Sequence, residues 1–542
     1  MKTKYYIILC LLTIHIGLLF GQSPDNVISI MKKEVDRGLN LKIDNLQSPF
    51  FISYSLLELE IVSIKARLGA IETSETIKQR LGYPFLFVGN YERNDLNFAE
   101  NSNNGLFLLP YENDETGIRI PIWQGLDSRY KSSAERYESK LTSIRQVQAK
   151  EEDLNLPDFE KREPFHFIQQ TNKQKIDKDY WENYARKASE IVKKYPEINS
   201  SSVSVDLMDM QTYYYNTENT RYFTFTPAYS LSISLSTLTE DGQDLTESED
   251  LEYSSMDEIP TLDEFVSICE NFIAYFLELR NAPMIEEIYI GPVLFEEMAL
   301  AQVFNSQLVR TSLIAKRNPI GKDMGNSSEM MMGKKMVSRS LSVKSLTGTE
   351  FFNGQRLTGY IPVDAEGVTP DKELVLVEDG VLKNMLNRRI PTKKVPESNG
   401  HARFQFSNPN ITIAPGNIQL LSNNVYSYSE LKQRLIDAAK EEDLDYAYIV
   451  RRMEKNNVLA IYKVYLEDGR EELQRGSSLQ YFNTRSFNRV LGATDTNFVY
   501  NTFSSGSMTT FIVPQALLFE EVEVTRNSKI TLKKPFIIPQ PK

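Results

Sequence analysis

Cysteine, histidine and tryptophan are scarce in this chain, with two, three and two in 542 residues. Cys10 and His15 fall in the N-terminal apolar run, which leaves Cys269, His166 and His401 for everything after it. One remaining thiol can form no internal disulfide, so no stability is drawn from an oxidising compartment. Two histidines far apart in the chain and one cysteine are a poor ligand supply for zinc. Long basic runs are missing as well. Asp and Glu number 73 against 61 Lys and Arg, for a net charge of −12, which argues against nucleic acid as a partner. With 41% hydrophobic and 25% charged residues, wholesale disorder and low-complexity architectures are excluded.

What is present begins with an export signal. Met1-Lys2-Thr3-Lys4 is basic, residues 5–20 are almost unbroken apolar sequence, and Gly21 precedes the polar Ser23-Pro24-Asp25-Asn26. This pattern reads as a signal peptide over residues 1–21, trimmed near Gly21 and Gln22, with the remainder exported to the periplasm or secreted. The run lies near the lower limit for a bilayer span and no basic stop-transfer cluster follows, so no stable membrane span is expected. Cys10 sits inside the run, away from any lipid-attachment position.

Beyond it, residues 25–38 have the spacing of a short amphipathic helix, and 49–91 are rich in β-branched and aromatic runs. Residues 92–177 hold Asn-rich turns, a charged helical stretch and Pro157 and Pro164. They read as a divergent insertion lying over the surface, with Trp123 as a packing anchor. A helix is expected over 178–195 and strands over 202–238. The acidic residues 244–258 read as a solvated linker. Thr261 and Glu264 have the capping-box spacing, and the helix they open carries Cys269 on its buried stripe. From 285 onward strands dominate, with one helix capped by Ser427 and Glu430. Strands outnumber helices without regular alternation, so the fold class is α+β rather than doubly wound. The domain reading is an N-terminal α+β region in two parts, 22–91 and 178–284, the insertion between them, and a C-terminal domain over 285–542.

Three stretches of the second half carry a resemblance. The first is Gly291-Pro292-Val293-Leu294-Phe295-Glu296-Glu297-Met298-Ala299-Leu300-Ala301-Gln302. The second is Asp364-Ala365-Glu366-Gly367-Val368-Thr369-Pro370 followed by Glu378-Asp379-Gly380-Val381-Leu382. The third is Asn399-Gly400-His401-Ala402-Arg403 with Pro415-Gly416 after it. In their order and spacing these are similar to motifs of the TldD/PmbA family, with Tyr215-Asn216-Thr217-Glu218-Asn219 matching a turn of the family's N-terminal region. The resemblance implies a C-terminal domain built on a large, curved, mostly antiparallel β-sheet. It also implies assembly from two related subunits that enclose a cavity, one of them bearing zinc.

Catalytic members of that family are zinc peptidases with His-Glu-x-x-x-His on this helix and a cysteine ligand near the C-terminus. In the best register Glu296 and Ala301 replace the two histidines, and Glu297 keeps the carboxylate. The C-terminal cysteine is missing from the stretch around Ser505. The resemblance therefore implies a metal-free pseudoenzyme subunit with no cofactor of its own, zinc belonging to the catalytic relatives. Its partner would be a zinc-bearing relative, in a heterodimer, or a second copy of itself, and its ligand an unfolded peptide. Glu297 is the one candidate catalytic residue, and Asn399, Gly400, His401 and Arg403 are candidates for a peptide channel. Two alternatives stand beside this reading: an active metallopeptidase with an unrecognised site, and a homodimeric peptide-binding protein. His166 reads as a surface residue, and Met330-Met331-Met332 as packing or an apolar patch, with a soft-metal site as a second reading.

Overall fold

The computed structural model describes residues 24–98, 105–146, 155–171, 173–320, 328–405, 410–454, 457–504 and 507–534. The expected signal peptide, residues 1–21, lies outside them. Two long strands, Pro49–Arg67 and Ala70–Val88, pair as a hairpin. Their turn is Leu68-Gly69, with φ of 48° and 75°, the left-handed geometry that two-residue hairpin turns need. Ser200–Asn216 pairs with the first strand, Arg221–Leu238 follows it, and Asp244–Tyr253 adds to the end of Arg221–Leu238, within a seven-stranded sheet.

One face of this sheet is covered by helices because its alternate residues are apolar: Ile52, Tyr54, Leu56, Val62 and Ile64 on one strand, Val203, Val205 and Leu207 on its neighbour. Helices Pro24–Gly38 and Glu115–Gln146 cover one end, and Lys178–Glu190 and Leu262–Asn281 the other. The opposite face, with Leu57, Leu59, Leu81 and Met210, packs on Ala365, Ala402 and Ile411 of the C-terminal half.

Two expectations are corrected here. Residues 92–177 do not merely lie over the surface. Helix Glu115–Gln146 places Ile118, Ile122, Leu126, Tyr130, Ala134 and Tyr137 in the core against Leu86 and Val88. Trp123, expected to anchor this segment, is 46% exposed on the outer side. The acidic stretch is also no linker. Asp244–Tyr253 is a strand because the hairpin return from Arg221–Leu238 offers it an unpaired edge, and backbone pairing overrides its low β-propensity.

The C-terminal half holds a six-stranded and an eight-stranded sheet. In the larger one, Ala516–Arg526 pairs both with Ser477–Gln480 and with Tyr289–Glu296, closing part of the sheet into a ring. Most pairings are antiparallel. The parallel ones include Asn417–Ser422 with Ser507–Pro514 and Tyr446–Glu454 with Tyr289–Glu296. The α+β architecture with large, mostly antiparallel sheets agrees with the sequence reading.

Candidate functional site

Strand Tyr289–Glu296 runs directly into a helix, Glu297–Val303, whose continuation over Phe304–Val309 is π-helical. The junction is strained. Glu297 has φ of 44°, and its N–H donates to the carbonyl of Gln515 at 2.8 Å. A non-glycine residue in the left-handed region and a π-bulge are both features that concentrate at functional sites.

The junction opens on a cleft of about 780 Å³ between the two halves of the molecule. Glu297, Met298 and Gln302 face it from the helix, Tyr500 and Asn501 from the neighbouring strand, and residues 246–253 from the acidic strand. Gln302 Nε2 donates to the Tyr500 hydroxyl at 3.4 Å.

The three positions singled out on this helix separate. Glu297 reaches the cleft, exposed, and accepts from Gln515 Nε2 at 3.3 Å. Glu296 closes the strand and points away. Its carboxylate accepts from Tyr428 Oη at 2.5 Å and from Arg451 Nε at 2.8 Å, and Arg451 also bridges to Glu471. Ala301 is fully buried in the core. Whether the group implied by the family fits is then a question of donor chemistry. Zinc takes imidazole nitrogen, thiolate or carboxylate oxygen, three at a catalytic site. Here one candidate oxygen donor, Glu296, is spent in an ion pair and does not line the cleft, one position has no donor, and the facing strand offers a phenol and an amide. Among the described residues no group of three His, Cys, Asp or Glu is arranged to hold a metal. The residues present do not fit zinc; Ser505 lies outside the described residues.

The acidic wall was not legible as a site. Arg452 neutralises part of it, pairing with Glu249 at 2.6 Å and donating to the Ser248 carbonyl at 2.9 Å, while Phe272 and Tyr275 hold its guanidinium from the other side. Glu252 instead has the Ser230 hydroxyl at 3.2 Å. Burial, then the nearby Asp250 and Asp206, push its carboxyl up to about 7. The folded value lies above the ordinary 4.5, so the folded state holds the extra proton between those two pH values. Stability contributed by this group is present below pH 4.5 and lost as pH rises through 7. Glu252→Gln, uncharged at every pH, should match the wild type in urea denaturation at pH 4 and exceed it by about 1–3 kcal/mol at pH 8. Equal stability of the two proteins at both pH values would refute this assignment.

The residues 399–403 loop lies elsewhere, against the face of the N-terminal sheet away from its helices. Asn399 Oδ1 accepts from the Asn387 N–H and from His401 Nδ1, both at 2.8 Å, so Asn399 staples the loop. Gly400 has φ of 79°, and a Cβ there would meet Pro370 at 2.6 Å. His401 Nε2 lies 2.9 Å from Ser345 Oγ and 3.2 Å from Thr347 Oγ1. Serine, histidine and asparagine thus line up as a hydrolase triad would. The serine and histidine are nevertheless enclosed: Ser345 is wholly buried and His401 is 1% exposed, and neither lines the Glu297 cleft, while Asn399 is half-buried. Burial, then Arg403, hold the His401 imidazole down to about 3, so it is neutral and structural. Of the four loop residues Arg403 lines a small cavity, shared with Thr224, Thr226 and Phe503. His166 is exposed, its ring near the carbonyl of Asn219, and Met330 is exposed.

Comparison with known proteins bears on this arrangement. Residues 289–439 match the PmbA/TldA metallopeptidase C-terminal domain. No curated protein matches the chain. Three solved structures share its fold: TldE from Thermococcus kodakarensis, and two proteins each called a "putative modulator" of DNA gyrase, from Thermotoga maritima and Bacteroides thetaiotaomicron. The first is 13% identical with a TM-score of 0.54, over 92% of this chain and 99% of its own. The Thermotoga protein is 14% identical with a TM-score of 0.57 over 92% and 99%. The Bacteroides protein is 12% identical with a TM-score of 0.58 over 92% and 98%.

Proposed function

We propose, from the premise that this chain is a TldD/PmbA-family protein, that it is an exported, metal-free subunit that holds unfolded peptide for a zinc-bearing relative. The observation that carries this reading is the fate of the family's metal positions. Glu296 is locked to Tyr428 and Arg451, Ala301 is sealed in the core, and only Glu297 faces the cleft. A carboxylate without a metal-polarised water is a weak base for peptide hydrolysis, since general-base help alone supplies about 10²–10⁴-fold. What the cleft retains suits binding: a volume in the range of ligand sites, half-exposed serines on strand Arg221–Leu238, the Glu297 carboxylate for cationic groups of an extended chain, and the Glu252 carboxyl group for its polar ones. The basic, then apolar, N-terminus supports export.

The chain purified alone should contain no stoichiometric zinc by elemental analysis and leave unfolded casein uncut. Mixed with a relative carrying His-Glu-x-x-x-His, it should co-purify and raise that relative's hydrolysis. Tightly held zinc in the isolated chain, with casein hydrolysis lost on chelation and in Glu297→Gln, would replace this reading with an active peptidase. Intact Met1 by mass spectrometry of the protein from its native host would remove export.

A further inference from the structure

The small cavity beside the 399–403 loop is separate from the Glu297 cleft. It measures about 90 Å³ and lies between the N-terminal sheet and the C-terminal half. Its walls are mostly apolar and hydroxyl-bearing, with Met208, Met210, Phe404 and Phe503 alongside Thr224 and Thr226, and Asp364 is the one carboxyl group among the lining residues. Into this setting comes one cationic side chain. Arg403 is 7% exposed, and its Nη1 donates to the carbonyls of Gly400 at 3.3 Å and Ala402 at 3.1 Å. Its Nη2 is buried with no hydrogen-bond partner among the described residues. The nearest carboxylate does not satisfy it: Asp364 is turned to backbone, accepting from the N–H groups of Glu366 and Val368 at 2.9 Å and of Ala402 at 3.0 Å.

A buried guanidinium with open donors is costly unless something supplies the missing acceptor. A guanidinium suits carboxylate and phosphate oxygens alike, and the apolar walls favour the carboxylate, which carries less charge to desolvate. The remaining space is smaller than the roughly 150 Å³ that accommodates benzene, so the group carrying the carboxylate must be short, and the methionine and phenylalanine walls require it to be apolar. We propose that this cavity receives a carboxylate bearing a short apolar group, supplied either by the C-terminus of a peptide or by a free small acid. The peptide source rests on the peptide-holding function above; the small-acid source does not.

The topology connects the cavity to the cleft. Thr224 and Thr226 line the cavity and Ser234 lines the cleft, all on the same face of strand Arg221–Leu238, with Ser230 and Ser232 half-exposed between them. At about 3.3 Å per residue, Thr226 and Ser234 are roughly 26 Å apart. An extended peptide of about eight residues, anchored by its terminal carboxylate at Arg403, would lay its other end in the cleft that Ser234 and Glu297 both line.

The test uses the full chain and a fluorescein-labelled ten-residue Gly/Ser peptide ending in Ala-Val, prepared as the free acid and as the C-terminal amide, with fluorescence anisotropy as the readout. The free acid should bind at least tenfold more tightly than the amide. Arg403→Met should bring the acid down to the affinity of the amide and leave the amide unchanged. Should that variant not fold, Ala228→Leu fills the same cavity with Arg403 in place and should erase the same preference. Butyrate, titrated calorimetrically, separates the sources. Butyrate binding that is lost in Ala228→Leu, with acid and amide peptides bound equally, assigns the cavity to a free acid. Butyrate binding without binding of either peptide keeps the cavity assignment and refutes the peptide-holding function. Equal binding of acid and amide together with no butyrate binding overturns the inference.

Discussion

Asp158→Ala should lower the urea midpoint of the protein by the equivalent of about 3–5 kcal/mol, the range for breaking one side of a buried ion pair. Asp158 sits at the centre of a buried polar cluster. Its Oδ2 accepts from Lys140 Nζ at 2.5 Å and from the Asn94 N–H at 2.9 Å, and its Oδ1 from Arg317 Nη2 at 3.0 Å. Lys140 is completely buried and also donates to the carbonyls of Asn94 and Leu96. Removing the carboxylate leaves the fully buried Lys140 ammonium with carbonyl acceptors alone, and burial already holds it below its ordinary value even against the help of Asp158. Lys140→Met should cost clearly less, because Asp158 keeps Arg317 and a backbone donor. The double variant should recover part of the loss, since no unpaired lysine is left buried. If Asp158→Ala costs under 1 kcal/mol, residues 92–177 are the surface insertion that their composition suggests, and the packing described for helix Glu115–Gln146 is wrong.

The second large effect is expected at the seam between the halves. Arg389 is 1% exposed. It donates to Glu218 Oε1 at 2.7 Å and twice to the carbonyl of Glu160, at 2.6 and 3.0 Å, while the Phe159 and Phe51 rings lie 4.3 and 5.2 Å from its guanidinium. One side chain thereby ties the Asn216–Thr220 turn, the segment before His166 and the C-terminal half together. Arg389→Met fills the space between the two rings but leaves Glu218 buried with only the Tyr91 hydroxyl at 2.8 Å and the Arg162 N–H at 3.3 Å. A loss of about 3–5 kcal/mol in urea denaturation is expected, against about 1 kcal/mol for Glu218→Gln, whose amide oxygen still accepts. Similar losses from both substitutions would show that the charge at this seam, not the retained hydrogen-bond acceptor, is what matters.

These two clusters also mark where sequence reading stops. Helix Leu262–Asn281 was readable in advance because its signals are local: Thr261 and Glu264 cap each other within one turn, and Phe265, Cys269, Phe272 and Phe276 repeat at helical spacing. The same holds for the helix opened by Ser427 and Glu430, with Leu431, Leu435 and Ala439 buried. Helix Glu115–Gln146 defeated that method. Its buried residues recur mostly every fourth position with charged residues between them, and it buries Arg129 and Lys140, so composition points to the surface. Strand Asp244–Tyr253 has five acidic residues in ten and forms only because a neighbouring edge is available.

By itself the sequence determined the α+β class, the family resemblance, the capped helices and the shortage of nitrogen and sulfur ligands, because each rests on composition or on residues a few positions apart. Only the tertiary structure decided that Glu296 turns toward Tyr428 and Arg451 while Glu297 meets the cleft. It alone decided that an acidic strand becomes a cleft wall, that His401 is enclosed, and that Arg403 lines a cavity with its Nη2 buried and without a hydrogen-bond partner among the described residues. Each of these depends on which side chains distant in sequence meet in space and on whether water reaches them. Burial and partner, more than residue type, set whether a carboxylate or guanidinium is a scaffold tie or a binding group.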